Sequence, residues 1–297
     1  MQTSTKNTLM GILFVNIATL GWATNVAIGR YIRGEIGPVT LAAARFVVAG
    51  IMFSFFIGKI APEERRPGKD LWPLALMAAT GIVLFSPLIY LGLRFTTAVN
   101  GALVNGMAPL VTAAFAAWLI KEPYKKGQLF GALLALFGVT ILITGGSFSA
   151  IRTVGINPGD LIILLAVAFW GIQSVASRRA TRNRSPLSAT ILSLYMGIPV
   201  LVIAAIVEQQ FIPVSFSPGL ILVVIYLGIV PAGLSIFLWN TGIKKLGAGG
   251  AMVFYNMFPL YGSVLSIALL GEAVGPAHLV GGVLIIGGGV IGSLTAR

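Results

Sequence analysis

Apolar residues run through this chain in long unbroken stretches, not in the alternation of a half-buried strand or the narrow stripe of a soluble helix. Ten stretches are each about 20 residues long, enough to cross the hydrocarbon core of a bilayer as a helix. They read Leu9 to Ile28, Gly37 to Gly58, Leu71 to Leu93, Thr97 to Ile120, Gly127 to Gly146, Pro158 to Ala176, Pro186 to Val207, Pro218 to Gly242, Gly247 to Leu270 and Pro276 to Leu294. Short breaks carrying Pro, Gly or charge separate them. The pattern predicts an all-α polytopic membrane protein with ten transmembrane helices. A membrane barrel would show segments of about ten residues alternating in and out. The first run is longer than the apolar core of a signal peptide, about 7–15 residues, and has a counterpart later in the chain, so it reads as helix 1.

Composition supports this. Of 297 residues, 57% are hydrophobic and 9% charged, against the roughly 25% charged of a soluble domain. The absence of cysteine excludes disulfides, thiol catalysis and Cys-based metal sites. The net charge of +12 would suit a nucleic-acid binder, but its distribution points elsewhere. When the 20 basic residues are sorted by alternate loops, Arg30, Arg33, Arg94 and Arg152 fall on one side and Arg45 lies inside helix 2. The other fifteen share the opposite side, a bias that places both termini in the cytoplasm and requires an even number of spans. The basic loops then read as topology determinants against anionic lipid. Lipid is an expected partner and nucleic acid is not.

The chain also repeats itself. "WATNVAIGR", Trp22 to Arg30, returns as "WGIQSVASR", Trp170 to Arg178, placing Asn25 on Gln173 and Pro38 on Pro186 at an offset of 148. Further on, at an offset of 150, Gly92 falls on Gly242, Met107 on Met257, Pro109 on Pro259, Glu122 on Glu272, Gly131 on Gly281 and Gly138 on Gly288. Only six glutamates occur in the chain, so the Glu122/Glu272 match beside matched prolines and glycines marks duplication. The halves are residues 1–150, helices 1–5, and residues 151–297, helices 6–10. Five spans is an odd number, so the second copy enters the membrane from the opposite side. Inverted repeats of this kind build secondary transporters, with the substrate site near the midplane where the halves meet.

The segments "LVNGMAPLVTAAFAAWLIKEPYKKGQLFGALLALFGVTIL" and "MVFYNMFPLYGSVLSIALLGEAVGPAHLVGGVLIIGGGVIG" resemble the two EamA repeats of the drug/metabolite transporter superfamily: a mid-helix Pro, an interfacial Glu, then a Gly-punctuated last helix. The resemblance spans almost the whole chain. Within the family the sequence is most similar to YddG-type exporters, associated with aromatic and other amino acids. It implies two inverted five-helix repeats, cytoplasmic termini in a bacterial inner membrane, a central cavity lined by helices 1–4 and 6–9, and outward transport of a small metabolite without a cofactor. The sequence sets no oligomeric state.

Several residues could line such a cavity. Trp22 and Asn25 share one face of helix 1, as Trp170, Gln173 and Ser174 share one of helix 6. An unpaired amide in lipid costs several kcal/mol, so these faces turn toward protein or a wet cavity. Ser86 stands one turn from Tyr90, and Ser235 one turn from Trp239. Asn105 precedes Pro109 on helix 4 as Tyr255 precedes Pro259 on helix 9, and each proline is expected to kink its helix and act as a hinge. Tyr195 and Asn240 are weaker candidates. Arg45, whose counterpart is Ser193, needs a partner or a cavity at that depth; a substrate carboxylate and helix-end carbonyls both serve.

All eight acids fall at span boundaries, whereas proton relays usually use an intramembrane carboxylate or His. Uniport or exchange is therefore favoured over the alternative, a proton-coupled exporter of drugs or nucleotide-like metabolites. Glu122 and Glu272 read as helix-end residues. "GGGVIG", Gly287 to Gly292, matches a dinucleotide fingerprint in letters only: it lies inside helix 10 with no preceding strand, where close helix packing explains it. No phosphate-binding G-x-x-x-x-G-K-[ST] occurs, and the lone His278, matched by Gln128, sits near a helix end. An enzyme is not expected.

Overall fold

The computed structural model describes residues 2–32, 35–92, 95, 104–121, 125–147, 149, 158–215, 217–270 and 275–295. Every regular element among them is helical. In chain order they are α1 (Gln2–Tyr31), α2 (Pro38–Ser54), α3 (71–92), α4 (Ala108–Ile120), α5 (Lys126–Thr144), α6 (Pro158–Asn183), α7 (Pro186–Glu208), α8 (218–246), α9 (248–270) and α10 (Pro276–Thr295). Among the described residues, six helical stretches are long and apolar enough to cross a membrane by length and composition; α2, α4 and the first part of α10 are shorter apolar helices.

The helices outrun the apolar windows where polar residues continue a buried face. α6 extends past Ala176 because Ser177, Ala180 and Thr181 remain buried against neighbouring helices. Between α8 and α9 no loop forms. Helix runs to Leu246, and Gly247, at φ 80° and ψ 167°, turns the chain directly into α9, a conformation open essentially to glycine alone. Both α3 and α8 carry a wide π-helical segment, Met77–Leu84 and Gly228–Leu234, at matching places in the repeat. Pro231 lies inside the second, where a missing N–H favours the wider register.

The expected kinks at Pro109 and Pro259 take a different form. Residues 104–105 are helical, 106–107 turn, and Pro109 is the second residue of a new helix capped at Met107. Pro259 is the third residue of Met257–Leu270, after the 3-10 turn Val253–Asn256. Proline lacks a donor and is tolerated in a first turn, where that donor is orphaned anyway, so the chain restarts its helix there instead of bending it. Asn105 and Tyr255 consequently sit on the short segments before the restart.

Contacts exchange under the repeat. A Cβ on Gly131 would lie 2.5 Å from the Gly288 carbonyl and one on Gly138 2.7 Å from that of Gly281, with reciprocal values of 2.4 and 2.8 Å, so α5 and α10 cross antiparallel, backbone on backbone. That spacing needs residues without side chains, and it accounts for the glycine run of α10. Gly92 against Ile163 and Gly159 is repeated by Gly242 against Val15 and Gly11, which seats α3 on α6 and α8 on α1. At the starts of α5 and α10, Gln128 Oε1 accepts the Lys125 N–H (2.9 Å) and His278 Nδ1 the Gly275 N–H (3.1 Å). Glu122 and Glu272 lie outside the described residues.

Gly288→Leu should destabilise the folded protein by about 1–3 kcal/mol or more, because backbone blocks the new side chain. Gly287→Ala, which meets nothing within 4 Å, should be near neutral. Thermal unfolding of both variants in detergent measures the contrast, and equal midpoints would contradict this packing.

Candidate functional site

The matched tryptophans of the repeat meet. Trp22 of α1 and Trp170 of α6 stand edge to face at 5.0 Å between ring centroids, and Trp239 of α8 lies 5.2 Å from Trp22 and 5.9 Å from Trp170. Tyr255 of α9 closes the group at 6.1 Å from Trp22 and 5.9 Å from Trp239; Phe85 of α3 adds a ring 4.8 Å from Trp170. Each half thus supplies rings to one centre. The matched pair Asn105 and Tyr255 also touches, the phenol donating to Asn105 Oδ1 at 3.5 Å. Two equivalent residues can meet only near the axis that relates the halves, so the aromatic group lies on it.

A polar cluster from the first half stands beside these rings. Arg45 Nη1 donates to Asn25 Oδ1 (2.9 Å) and Tyr90 Oη (3.2 Å), Nη2 donates to Ser86 Oγ (2.6 Å), and Tyr90 donates to Asn25 Oδ1 (3.1 Å). Four sequence candidates are thereby joined across α1, α2 and α3. Arg45 takes side-chain partners, not the helix-end carbonyls open to it in sequence, because a guanidinium with five donors at this depth needs several acceptors at once. Its Nε keeps no acceptor.

The second half builds a neutral counterpart. Gln173 Nε2 donates to Asn240 Oδ1 (3.4 Å), Ser177 Oγ donates to the same oxygen (2.8 Å), Asn240 Nδ2 donates to Thr190 Oγ1 (2.9 Å), and Ser174 donates to Gln173 Oε1 (3.4 Å). Asn240 lies 150 residues after Tyr90 and Gln173 lies 148 after Asn25, so the α1–α3 bond recurs between α6 and α8. Asn240, a weak candidate in sequence, is therefore central. Tyr195 is not: it bonds Ser54 Oγ at 3.0 Å on an exposed edge. Ser235 is buried beside Gly21, apart from both clusters. Ser177 and Thr190 escaped the sequence reading because their repeat positions, Gly29 and Ala42, carry no polar side chain.

The centre retains unsatisfied groups. Trp22 Nε1 donates to the Pro231 carbonyl (3.0 Å), which the π-helical segment of α8 leaves available, but Trp170 Nε1 and Trp239 Nε1 are buried without an acceptor. Thr112 Oγ1 of α4 and both amide atoms of Asn256 are likewise unpartnered. Among the described residues no group of three or more His, Cys, Asp or Glu side chains could hold a metal ion.

Two helical halves, each with a polar cluster and each supplying rings to one aromatic centre, are matched by one family model, the EamA-like transporter family, at residues 9–144 and again at 157–294. The chain belongs to this family, within the drug/metabolite transporter superfamily. The EamA chain is 31% identical to the uncharacterized transporter YyaM of Bacillus subtilis, over 91% of this chain and 87% of YyaM. It is 26% identical to the aromatic amino acid exporter YddG of Ancylobacter novellus, over 94% of this chain and 96% of that protein. A solved crystal structure 24% identical in sequence superposes with a TM-score of 0.78, covering 99% of this chain and 98% of its own, and shares its fold.

In the EamA cluster of Asn25, Arg45 and Tyr90, Tyr90→Phe removes two interhelical hydrogen bonds and should cost about 1.2 kcal/mol, at the membrane-protein average of about 0.6 kcal/mol each. Asn25→Ala should cost more, because it strands two donors. The double variant should depart from additivity by at least about 0.5 kcal/mol. Chemical unfolding of the four proteins reads the coupling, and additive effects would contradict a shared network.

Proposed function

We propose that this EamA transporter crosses a bacterial inner membrane ten times with both termini in the cytoplasm, its inverted halves joining near residue 150. It exports small amphipathic metabolites, chiefly amino acids including aromatic ones, by alternating access, as a uniporter or exchanger. The observation that carries the substrate class is the pair of buried indole donors, Trp170 Nε1 and Trp239 Nε1, left without acceptors in the aromatic centre. A buried donor without a partner costs about 1–3 kcal/mol, which an arriving carboxylate relieves. Trp22, Trp170, Trp239 and Tyr255 then cover the variable apolar side chain, and Asn105 and Gln173, whose amide oxygens each accept a single hydrogen bond, offer oxygen atoms to the ammonium, with Asn25 and Tyr90 shaping the wall beside them. Arg45 holds the first polar wall in shape. The likeness to a YddG aromatic amino acid exporter supports the same class. Neither polar cluster contains a carboxylate among the described residues, which favours uncoupled movement over proton exchange.

Protein reconstituted in liposomes should exchange labelled aromatic amino acids saturably with no imposed proton or voltage gradient. Trp170→Phe keeps a ring and removes the donor, so it should raise the apparent KM about 5- to 10-fold, one hydrogen bond's worth. Trp22→Ala and Gln173→Ala should abolish most flux with normal insertion. Flux that waits for a proton gradient would point to the coupled exporter; silence under both conditions would reject amino acids as substrates.

A further inference from the structure

In a carrier of inverted repeats, one access state is approximately the other with the two halves exchanged. Contacts that survive the exchange within a single structure belong to both states, and contacts that break it are the ones that change. By that criterion the contacts of this chain divide into a frame and a gate.

Two glutamates at helix starts make contacts that the exchange reproduces in kind: the starts they cap, at Gly37 and Ser185, are equivalent at an offset of 148, although the glutamates themselves, 144 apart, are not. Glu208, ending α7, accepts the Val39 N–H at 3.0 Å, the Thr40 N–H at 2.6 Å and the Thr40 hydroxyl at 2.8 Å, in the first turn of α2. Gly37 makes room for it, because a Cβ there would stand 2.3 Å from Glu208 Oε2. At the other end Glu64, in the segment after α2, accepts the Ser185 N–H at 2.9 and 3.0 Å and the Ser185 hydroxyl, capping α7. α2 and α7 are thus each capped by a carboxylate that follows the other. A carboxylate suits the partial positive charge of a helix start. Between the caps Ala42, Phe46, Ala49 and Phe53 pack with Ile191, Leu194 and Leu201.

The α4–α6 seam breaks the exchange. A Cβ on Gly171 would lie 3.2 Å from Thr112 Oγ1 and 3.4 Å from Thr112 Cα, and Ala116, Val175 and Ala248 bury together further along. The repeat carries Gly171 to Ala23 and Thr112 to Gly262, yet among the described residues nothing lies within 4 Å of a Cβ built on Gly262. The α4–α6 seam is shut toward the end bearing the basic loops, whereas in its counterpart, α1–α9, Gly262 leaves space and Tyr261 Oη donates instead to Asn16 Oδ1 (2.7 Å), a tie whose repeat positions, Val111 and Leu164, are apolar.

We propose that Glu64 and Glu208 are positioning residues that clamp α2 to α7 as a stationary frame through the whole cycle, while the α4–α6 and α1–α9 seams open in alternation. This rests on the alternating-access reading above. The helix restarts at Pro109 and Pro259 lie beside the two seams, where a hinge would serve them.

The cysteine-free chain permits a direct test by paired thiols in liposomes. Oxidising Thr112→Cys with Gly171→Cys should lower exchange at least about tenfold, reversibly with dithiothreitol, because gating would then be locked. Bridging Ser54→Cys and Tyr195→Cys with a short bifunctional thiosulfonate, needed because the lost tyrosine ring leaves the thiols beyond direct disulfide reach, ties α2 to α7 and should leave at least about half of the exchange, since no frame motion is required. Loss of exchange in the second pair, or its persistence in the first, would overturn the proposal. A second measurement needs no substrate. A thiol at Ala116→Cys, in the seam, should react with a soluble maleimide at least about tenfold faster than one at Ala205→Cys, in the frame one turn before Glu208. Glu208→Ala should then speed the Ala205→Cys reaction. Equal rates at the two thiols would overturn the frame. Absence of exchange in every reduced variant, with the alkylation contrast intact, would instead reject the substrate reading and leave the frame standing.

Discussion

A polar group buried in so apolar a chain has no water to turn to and must find its partner within the chain. That constraint decides where each of the few buried polar side chains lies. Arg45 is the extreme case. Its position in α2 is tolerable only because α1 and α3 bring Asn25, Ser86 and Tyr90 to it at once, which fixes three helices relative to one another. The second half meets the same demand with neutral groups, Gln173 and Asn240, and so holds α6 to α8 without a charge. Helix starts obey it too, with Glu208 and Glu64 taking backbone donors that would otherwise be orphaned.

Once these groups are satisfied, the exceptions carry information. Unpartnered donors are rare in folded proteins because each is costly, and here two of them are indole N–H groups in the aromatic centre where the halves meet. The cost is tolerated where an arriving ligand can relieve it. The two clusters also differ in chemistry: one contains a guanidinium and the other only amides and hydroxyls. The glycine crossings hold the surrounding helices at backbone distance, which leaves the rings as the main filling of the middle.

Much of this was legible in the sequence. Apolar run length marked the helices, and the 148 and 150 offsets paired Trp22 with Trp170 and Asn105 with Tyr255, which the structure brings into contact. Spacing on one helix joined Ser86 to Tyr90. What escaped depended on backbone detail or on unmatched partners. A one-dimensional apolar window cannot report that Gly247 replaces a loop, that α3 and α8 widen into π-helix, or that Pro109 restarts a helix instead of bending one. Thr190 and Ser177 became visible only through Asn240, because a hydrogen-bond network is set by three-dimensional neighbours and their repeat positions hold nothing polar.

The proposed function puts a small amphipathic metabolite at the aromatic centre formed by both halves. Of the five tryptophans, Trp72 and Trp118 are exposed and the other three belong to the centre. With Trp72→Phe and Trp118→Phe in place, intrinsic fluorescence reports on the centre alone. Titrating that purified protein with L-phenylalanine, which adds no indole signal, should give a saturable change in intensity or emission maximum whose midpoint moves about 5- to 10-fold higher in Trp170→Phe. A flat titration by a protein that still exchanges amino acids in liposomes would place the binding site away from the aromatic centre.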